Sequence, residues 1–294
     1  MKRITGILFL SLSILLIGIS VQAGNNVIFE MEDSIGDEYG PGSYLYPKSE
    51  QFEPYQGLFD LTYFRVEEED NNYNFYFKFV ELTNPWHAKY GFSHQLVQVY
   101  IDNQDGGRTD TFKPGANVQF EEAHPWNKLL KITGWSLEIF DHRADVEVDG
   151  RVEEGNIAVL DDNQTIKVTI PQQKLGDLEK AHYYVLVGSL DGFGYDNYRE
   201  VQKEPTGWKF GGGTNTDLNP NVLDILVPEG MEQKEILGSF DVEEQQLATI
   251  KAVGPSLDLH FKFIIIFGFV IILLLSLIGV LIKFILNKVA ERSS

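Results

Sequence analysis

The chain has 294 residues, no cysteine and a formal net charge of −19. Six of its 24 basic residues and one of its 43 acidic residues lie in or beside two terminal apolar segments, so the region between carries 18 against 42, about −24. A field of that sign repels nucleic acid and anionic lipid headgroups and favours metal cations, which excludes a nucleic-acid partner. Without cysteine there are neither disulfides nor a thioether-linked lipid, and stability falls to a packed core and to any metal the chain holds.

Met1-Lys2-Arg3 precede an apolar run over 7–21 that ends at Val21-Gln22-Ala23. Small residues at the −3 and −1 positions predict a secretory signal peptide over 1–23; the run is short for an uncleaved spanning helix. The next 200 residues read as short strands, at 27–31, 59–66, 73–79, 94–101, 132–140, 166–170 and 183–190. Tyr73, Phe75, Phe77 and Phe79 alternate with Asn74, Tyr76 and Lys78, the period of two of a strand with one buried face. Val97, Val99 and Ile101 repeat the pattern opposite His94, Gln98 and Tyr100. Turn signals rich in Gly, Asp and Asn separate the runs, as at Asp102-Asn103-Gln104-Asp105 and Asp161-Asp162-Asn163. No long amphipathic helix intervenes, so the expected fold is an all-β antiparallel sandwich or jelly roll with at most a short helix over 172–179.

Three polar or aromatic groupings could carry function. The first, Glu30-Met31-Glu32-Asp33-Ser34-Ile35-Gly36-Asp37-Glu38, puts close carboxylates on a Gly-bent loop. Hard cations such as calcium take six to eight oxygens, and Asp33, Asp37 and, before the next strand, Asp60 are the first-choice ligands. The spacing is not that of an EF-hand, and a solvated acidic turn is an equal reading of composition alone. The second, Asp191-Gly192-Phe193-Gly194-Tyr195-Asp196-Asn197-Tyr198-Arg199, is expected to be structural, its arginine clamping the loop. The third is the set Trp86, Trp126, Trp135 and Trp208. Indoles stack on the apolar faces of sugar rings, although a core position is the commoner use of any one tryptophan. Trp86, in Asn84-Pro85-Trp86-His87, and Trp126, in His124-Pro125-Trp126-Asn127, sit in loop-like contexts and are the expected carbohydrate-binding pair.

Residues 232–253 read as a closing strand or helix and then a stalk over 241–260. Beyond it, residues 263–282 are twenty in a row without a charge, enough for one transmembrane helix over 261–286. Lys283, Lys288 and Arg292 follow and place the 287–294 tail in the cytoplasm, with the domain outside. Catalytic motifs are missing: no Gly-x-Ser-x-Gly, no His-Glu-x-x-His, no phosphate-cradling glycine loop and no cysteine nucleophile. Carboxylate pairs are expected by chance in so acidic a chain and define no glycosidase dyad.

The stretch from Asp33 through Gly36-Asp37, Gly40-Pro41-Gly42 and Tyr46-Pro47 to Gly57-Leu58-Phe59-Asp60 resembles the start of the C-terminal domain of glucodextranase. Leu82-Thr83-Asn84-Pro85-Trp86, Gly91-Phe92-Ser93, Val99-Tyr100-Ile101-Asp102 and Gly188 to Gly194 continue the likeness. So do Arg199-Glu200-Val201, Trp208 to Gly213 and Val222-Leu223-Asp224-Ile225-Leu226, over roughly 27 to 240. That domain is similar to family 9 carbohydrate-binding modules and the DOMON-like group. The resemblance implies a β-sandwich over 24–240, structural calcium at Asp33, Asp37 and Asp60, and polysaccharide as the ligand class. Together these readings predict a non-catalytic, membrane-anchored module holding glucan or envelope polysaccharide at the cell surface, with a scaffold contacting an envelope layer or membrane protein partner as the alternative.

Overall fold

The structure, a computed structural model, describes residues 26–52, 55–145, 150, 156–214, 217–255 and 276. The expected signal peptide, transmembrane helix and cytoplasmic tail lie outside the described residues, of which no helix is long and apolar enough to cross a membrane.

Alternating side chains build two five-stranded sheets, antiparallel at every pairing. The strands are β1 (Asn26–Glu32), β2 (Leu61–Glu69), β3 (Asn72–Phe79), β4 (Gln95–Asp102), β5 (Val118–Phe120), β6 (Lys128–Thr133), β7 (Leu137–Asp141), β8 (Asn156–Val159), β9 (Thr165–Pro171), β10 (His182–Ser189), β11 (Val222–Ile225) and β12 (Ala248–Ile250). The first sheet runs β1-β2-β3-β9-β8, the second β11-β10-β4-β6-β7, and β12 pairs with β5 in a separate parallel ribbon. Two short α-helices, α1 (Gln172–Leu175) and α2 (Gln233–Leu237), and a 3-10 turn at Tyr195–Asn197 accompany the strands among the described residues.

Phe64, Val66, Phe75, Phe77, Ile166 and Val168 from the first sheet meet Val97, Val99, Leu130, Ile132, Val185 and Val187 from the second in one core. Each large apolar side chain fully buried there contributes about 1.5–3 kcal/mol. The expected sandwich is thus present, but β4 departs from a one-faced strand: Leu96 and Tyr100 are buried too, in a second core. Residues of β5, β12 and α2 cover the outer face of the second sheet and supply Val118, Phe120, Ile236, Leu237, Ala248 and Ile250 to it.

Two expectations are corrected. Of the residues read as a stalk, 247–254 pack on the domain, with Ala248, Ile250 and Val253 buried and Val253 exchanging backbone hydrogen bonds with Tyr183, while 241–246 are exposed. The single strand expected at 132–140 is a hairpin, β6 and β7, because the Thr133 hydroxyl accepts the N–H groups of Trp135 at 3.2 Å and Ser136 at 3.0 Å and turns the chain.

Candidate functional site

One rim of the second sheet gathers loops distant in sequence. Gln95 of β4 pairs with Ser189 of β10, and Leu96 pairs with Thr133 of β6, so the residues just before β4 and just after β6 and β10 emerge side by side. They form a groove of about 640 Å³ whose aromatic walls are Trp86, Trp135, Trp208 and Phe193, with Ser93, Asn197 and Arg199 among its polar groups. Trp135 is 44% exposed and Trp208 51%, while Trp86 is half-buried. The rings of Trp86 and Trp208 lie 6.5 Å apart between centroids, tilted by 43°, leaving indole surface turned to solvent.

Each wall is held by its own local bonding. Asn84 staples the Trp86 loop, its Oδ1 accepting Ala88 N–H at 2.7 Å and its Nδ2 donating to Ala88 O at 3.0 Å. Arg199 acts as the expected clamp: it donates to Ser189 Oγ at 3.0 Å, Leu190 O at 2.6 Å and Trp208 O at 2.8 Å, tying the end of β10 to the Trp208 loop. Its guanidinium also lies 5.4 Å over the Phe52 ring. Beneath Trp86, His94 is fully buried at 4.5 Å between ring centroids, and burial followed by the Arg199 charge pushes its pKa down to about 4. The Ser93 hydroxyl, fully buried at the groove floor, has no hydrogen-bond partner among the described residues. A buried hydroxyl without a partner is costly, and a ligand hydroxyl or water would satisfy it.

The 191–198 wall rests on a buried ion pair. Lys131 Nζ meets Asp196 Oδ1 at 2.6 Å with both side chains 1% exposed, and Gln98 donates to the other Asp196 oxygen at 2.6 Å. Tyr100 and Tyr198 in turn donate to Gln98 Oε1 at 2.9 and 3.1 Å. Asp196 sits at φ 46°, a left-handed conformation that non-glycine residues adopt at a cost and that this network holds in place.

A second constellation joins the two sheets near their β1/β11 edges. The nearest oxygens of Asp37, Asp60 and Asp224 lie within 4.8 Å of one another, with Asp33 beside them. Burial and then Asp37 push the Asp33 carboxyl up to about 8; burial and then Asp60 push Asp37 up to about 6. Burial, then Asp33 and Asp37, hold Asp224 well above the carboxylate range, and burial raises Asp60. One Asp60 oxygen accepts Gly36 N–H at 2.7 Å, an approach that the φ of +91° at Gly36 allows. Asp33 Oδ2, Asp37 Oδ1 and Asp60 Oδ1 are buried without a hydrogen-bond partner, and among the described residues no lysine or arginine pairs with any of the four. Orphaned carboxylate oxygens converging from separate segments fit a hard divalent cation such as calcium, which takes an all-oxygen shell.

Sequence reasoning and structure agree unevenly on these residues. Asp33, Asp37 and Asp60 are brought together, and Trp86 lies in the groove. Trp126 does not: it is fully buried in the second core, its Nε1 donating to Asp110 O at 2.7 Å, so it has no face to offer a sugar. The His-Pro-Trp-Asn context suggested a loop, but the residue bridges Arg108 inside the outer layer. Trp135, Trp208 and Ser93 are the groove residues the sequence did not single out; their signal is spatial. Asp224 was also missed as a ligand, although a lone carboxylate in the apolar run Val222-Leu223-Asp224-Ile225-Leu226 was a readable one.

A family model described as the C-terminal binding module, SLH-like, of glucodextranase matches residues 28–252. No curated protein matches the chain.

Proposed function

The chain belongs to the family of SLH-like C-terminal binding modules of glucodextranase, and from that premise we propose that it is a non-catalytic carbohydrate-binding module, anchored in the cell membrane, that retains glucan or envelope polysaccharide at the surface. The observation that carries this reading is the convergence of Trp86, Trp135 and Trp208 from three separate loops on one groove. Exposed indoles give sugar rings flat apolar faces, and Ser93, Asn197 and Arg199 offer the few directed polar contacts that fix orientation. Hydrolysis of the two-carboxylate kind needs a pair of acids across the bond; of the described groove-lining residues only Asp191 is acidic, and it is engaged with the Phe193 N–H at 3.0 Å and with Arg199 at 3.5 Å.

The anchor is the uncharged stretch 263–282, with the signal peptide directing the domain outside the cytoplasm. In this reading calcium occupies Asp33, Asp37, Asp60 and Asp224. Its contribution is structural, neutralising buried charge where the Asp33 loop, the entry to β2 and β11 meet.

Affinity electrophoresis of the full-length chain in detergent against glycogen, pullulan, dextran and xylan tests the binding claim. At least one glucan is expected to retard it. A central aromatic of a contact surface is worth about 2 kcal/mol or more, so Trp86→Ala and Trp208→Ala should each weaken retardation roughly 30-fold, while the buried Trp126→Phe leaves it unchanged. If no glycan retards the wild-type chain, the reading fails, and the alternative of a scaffold on an envelope layer or membrane protein takes its place.

A further inference from the structure

The opposite end of the second sheet holds a different set of donors. β4 ends at Asp102 and β10 begins at His182, directly opposite each other in register, and the loop between β5 and β6 lays His124 beside them. The imidazoles of His124 and His182 stack with centroids 3.8 Å apart and planes 23° from parallel. His124 Nδ1 lies 3.0 Å from Asp102 Oδ2, and one donor atom from each of the three residues falls within 4.8 Å of the other two. Along the eight residues of β4 this end is separated from the aromatic groove by roughly 24 Å.

We propose that His124, His182 and Asp102 form a binding site for a divalent transition-metal ion of the zinc class, separate from both the groove and the acidic cluster. The donor set decides the class. Two imidazoles with one carboxylate suit zinc or copper, whereas calcium takes oxygen alone. Three protein donors leave a coordination position for water, so this is an open site. Tetrahedral zinc with bonds of about 2.0–2.1 Å wants its donors roughly 3.3 Å apart; His124 and Asp102 are already at that spacing, and the remaining pairs close by at most about 1.5 Å. All three are only partly buried, which leaves them room to do so.

The surroundings favour a cation and hold the donors in place. Asp105, Asp177 and Glu179 line the same depression against one cation, Lys180, and this acidic excess raises the local concentration of a divalent ion. The Tyr184 hydroxyl donates to His124 O at 2.7 Å, fixing the loop that carries the imidazole. Gly254 packs so closely on the other ring that a Cβ there would lie 2.5 Å from the His182 ring carbon Cδ2. Ala252 N–H donates to Glu121 Oε1 at 2.8 Å, and Val253 pairs with Tyr183. A metal on these donors therefore locks the segment leading out of the domain toward its C-terminal side, together with β4, β10 and the 121–127 loop.

The test uses the untagged full-length chain in detergent, stripped of metal and then saturated with calcium so that the acidic cluster does not compete. Titration with ZnCl₂ followed by calorimetry should show one zinc ion per chain, with affinity at least tenfold weaker in His124→Gln and in His182→Gln. Cobalt in place of zinc should give visible d–d absorption that both variants lose. A readout without any variant is protection mapping: zinc should shield His124 and His182, and not His87 or His142, from diethyl pyrocarbonate. Zinc uptake of equal affinity in the wild-type chain and both variants would overturn the site, as would unprotected His124 and His182 at saturating zinc.

Discussion

Lys131→Met is expected to cost about 3–5 kcal/mol, because it leaves the Asp196 carboxylate buried without its partner. For a domain of this size that is a fall of roughly 10 °C in Tm, read by calorimetry or intrinsic fluorescence. Methionine matches lysine closely in length, so the loss is one of charge pairing and not of volume. Of its side-chain hydrogen bonds Asp196 then keeps the Gln98 amide on one oxygen, with Lys113 as a more distant cation, in a backbone conformation already costly at φ 46°. Since the 191–198 loop carries Phe193 and Asn197 to the groove wall, glycan retardation should weaken together with stability. Two further outcomes separate the ion pair from general damage. Lys131→Met/Asp196→Leu should recover most of the loss, because apolar replacement of a buried pair is often neutral or better. Burial raises the Asp196 pKa, so the folded single variant takes up a proton that the unfolded chain has already released near pH 4. Its deficit should therefore shrink as pH falls and grow as pH rises. A single variant as stable as wild type at pH 7 would show that the pair holds nothing in place.

Removing calcium is expected to lower Tm by about 5–10 °C near pH 8, since an ion at a hundred times its Kd stabilises the native state by about 2.7 kcal/mol. The pH dependence has a definite sign. In the metal-free chain the Asp33 and Asp37 carboxyls are held up to about 8 and about 6, above their unfolded values. Between about pH 4 and pH 8 the native state thus binds more protons than the unfolded one, and stability falls as pH rises. On the proposed calcium assignment the ion would keep these carboxylates charged and offset their repulsion, flattening the curve over the same window. Chelator-treated and calcium-saturated chain should accordingly differ most at pH 8 and least near pH 5. Superimposable melting curves at pH 8 after complete metal removal would sink the calcium assignment. Asp224→Asn should abolish the calcium-dependent shift, because Asp224 completes the cluster from the far sheet.

How much of this could be read from the chain depends on how far apart the interacting residues lie in sequence. The aromatic alternation at residues 73–79 determined a strand with one buried face. Its repetition between turn signals determined an antiparallel all-β domain, since side-chain period and turn chemistry are local properties. The acidic loop at Asp33 and Asp37 and the clamp role of Arg199 were legible for the same reason: each is built largely from neighbours in sequence. The four tryptophans advertised aromatic surface but not which of them kept it. Trp86 and Trp126 stand in similar Pro-Trp contexts, and only the packing of β5, β12 and α2 over the second sheet buried Trp126 and left Trp86, Trp135 and Trp208 on one rim. Asp224, 164 residues beyond Asp60, enters the cluster only where β11 comes up beside the start of β2, its Oδ2 accepting Leu61 N–H at 2.6 Å. His124 and His182 meet for a like reason, the register that sets Asp102 opposite His182. Local pattern determined which segments fold and which face turns inward; the stacking and register of two sheets decided which distant side chains share a site, because convergence of donors depends on strand order and strand order is not written in any one segment.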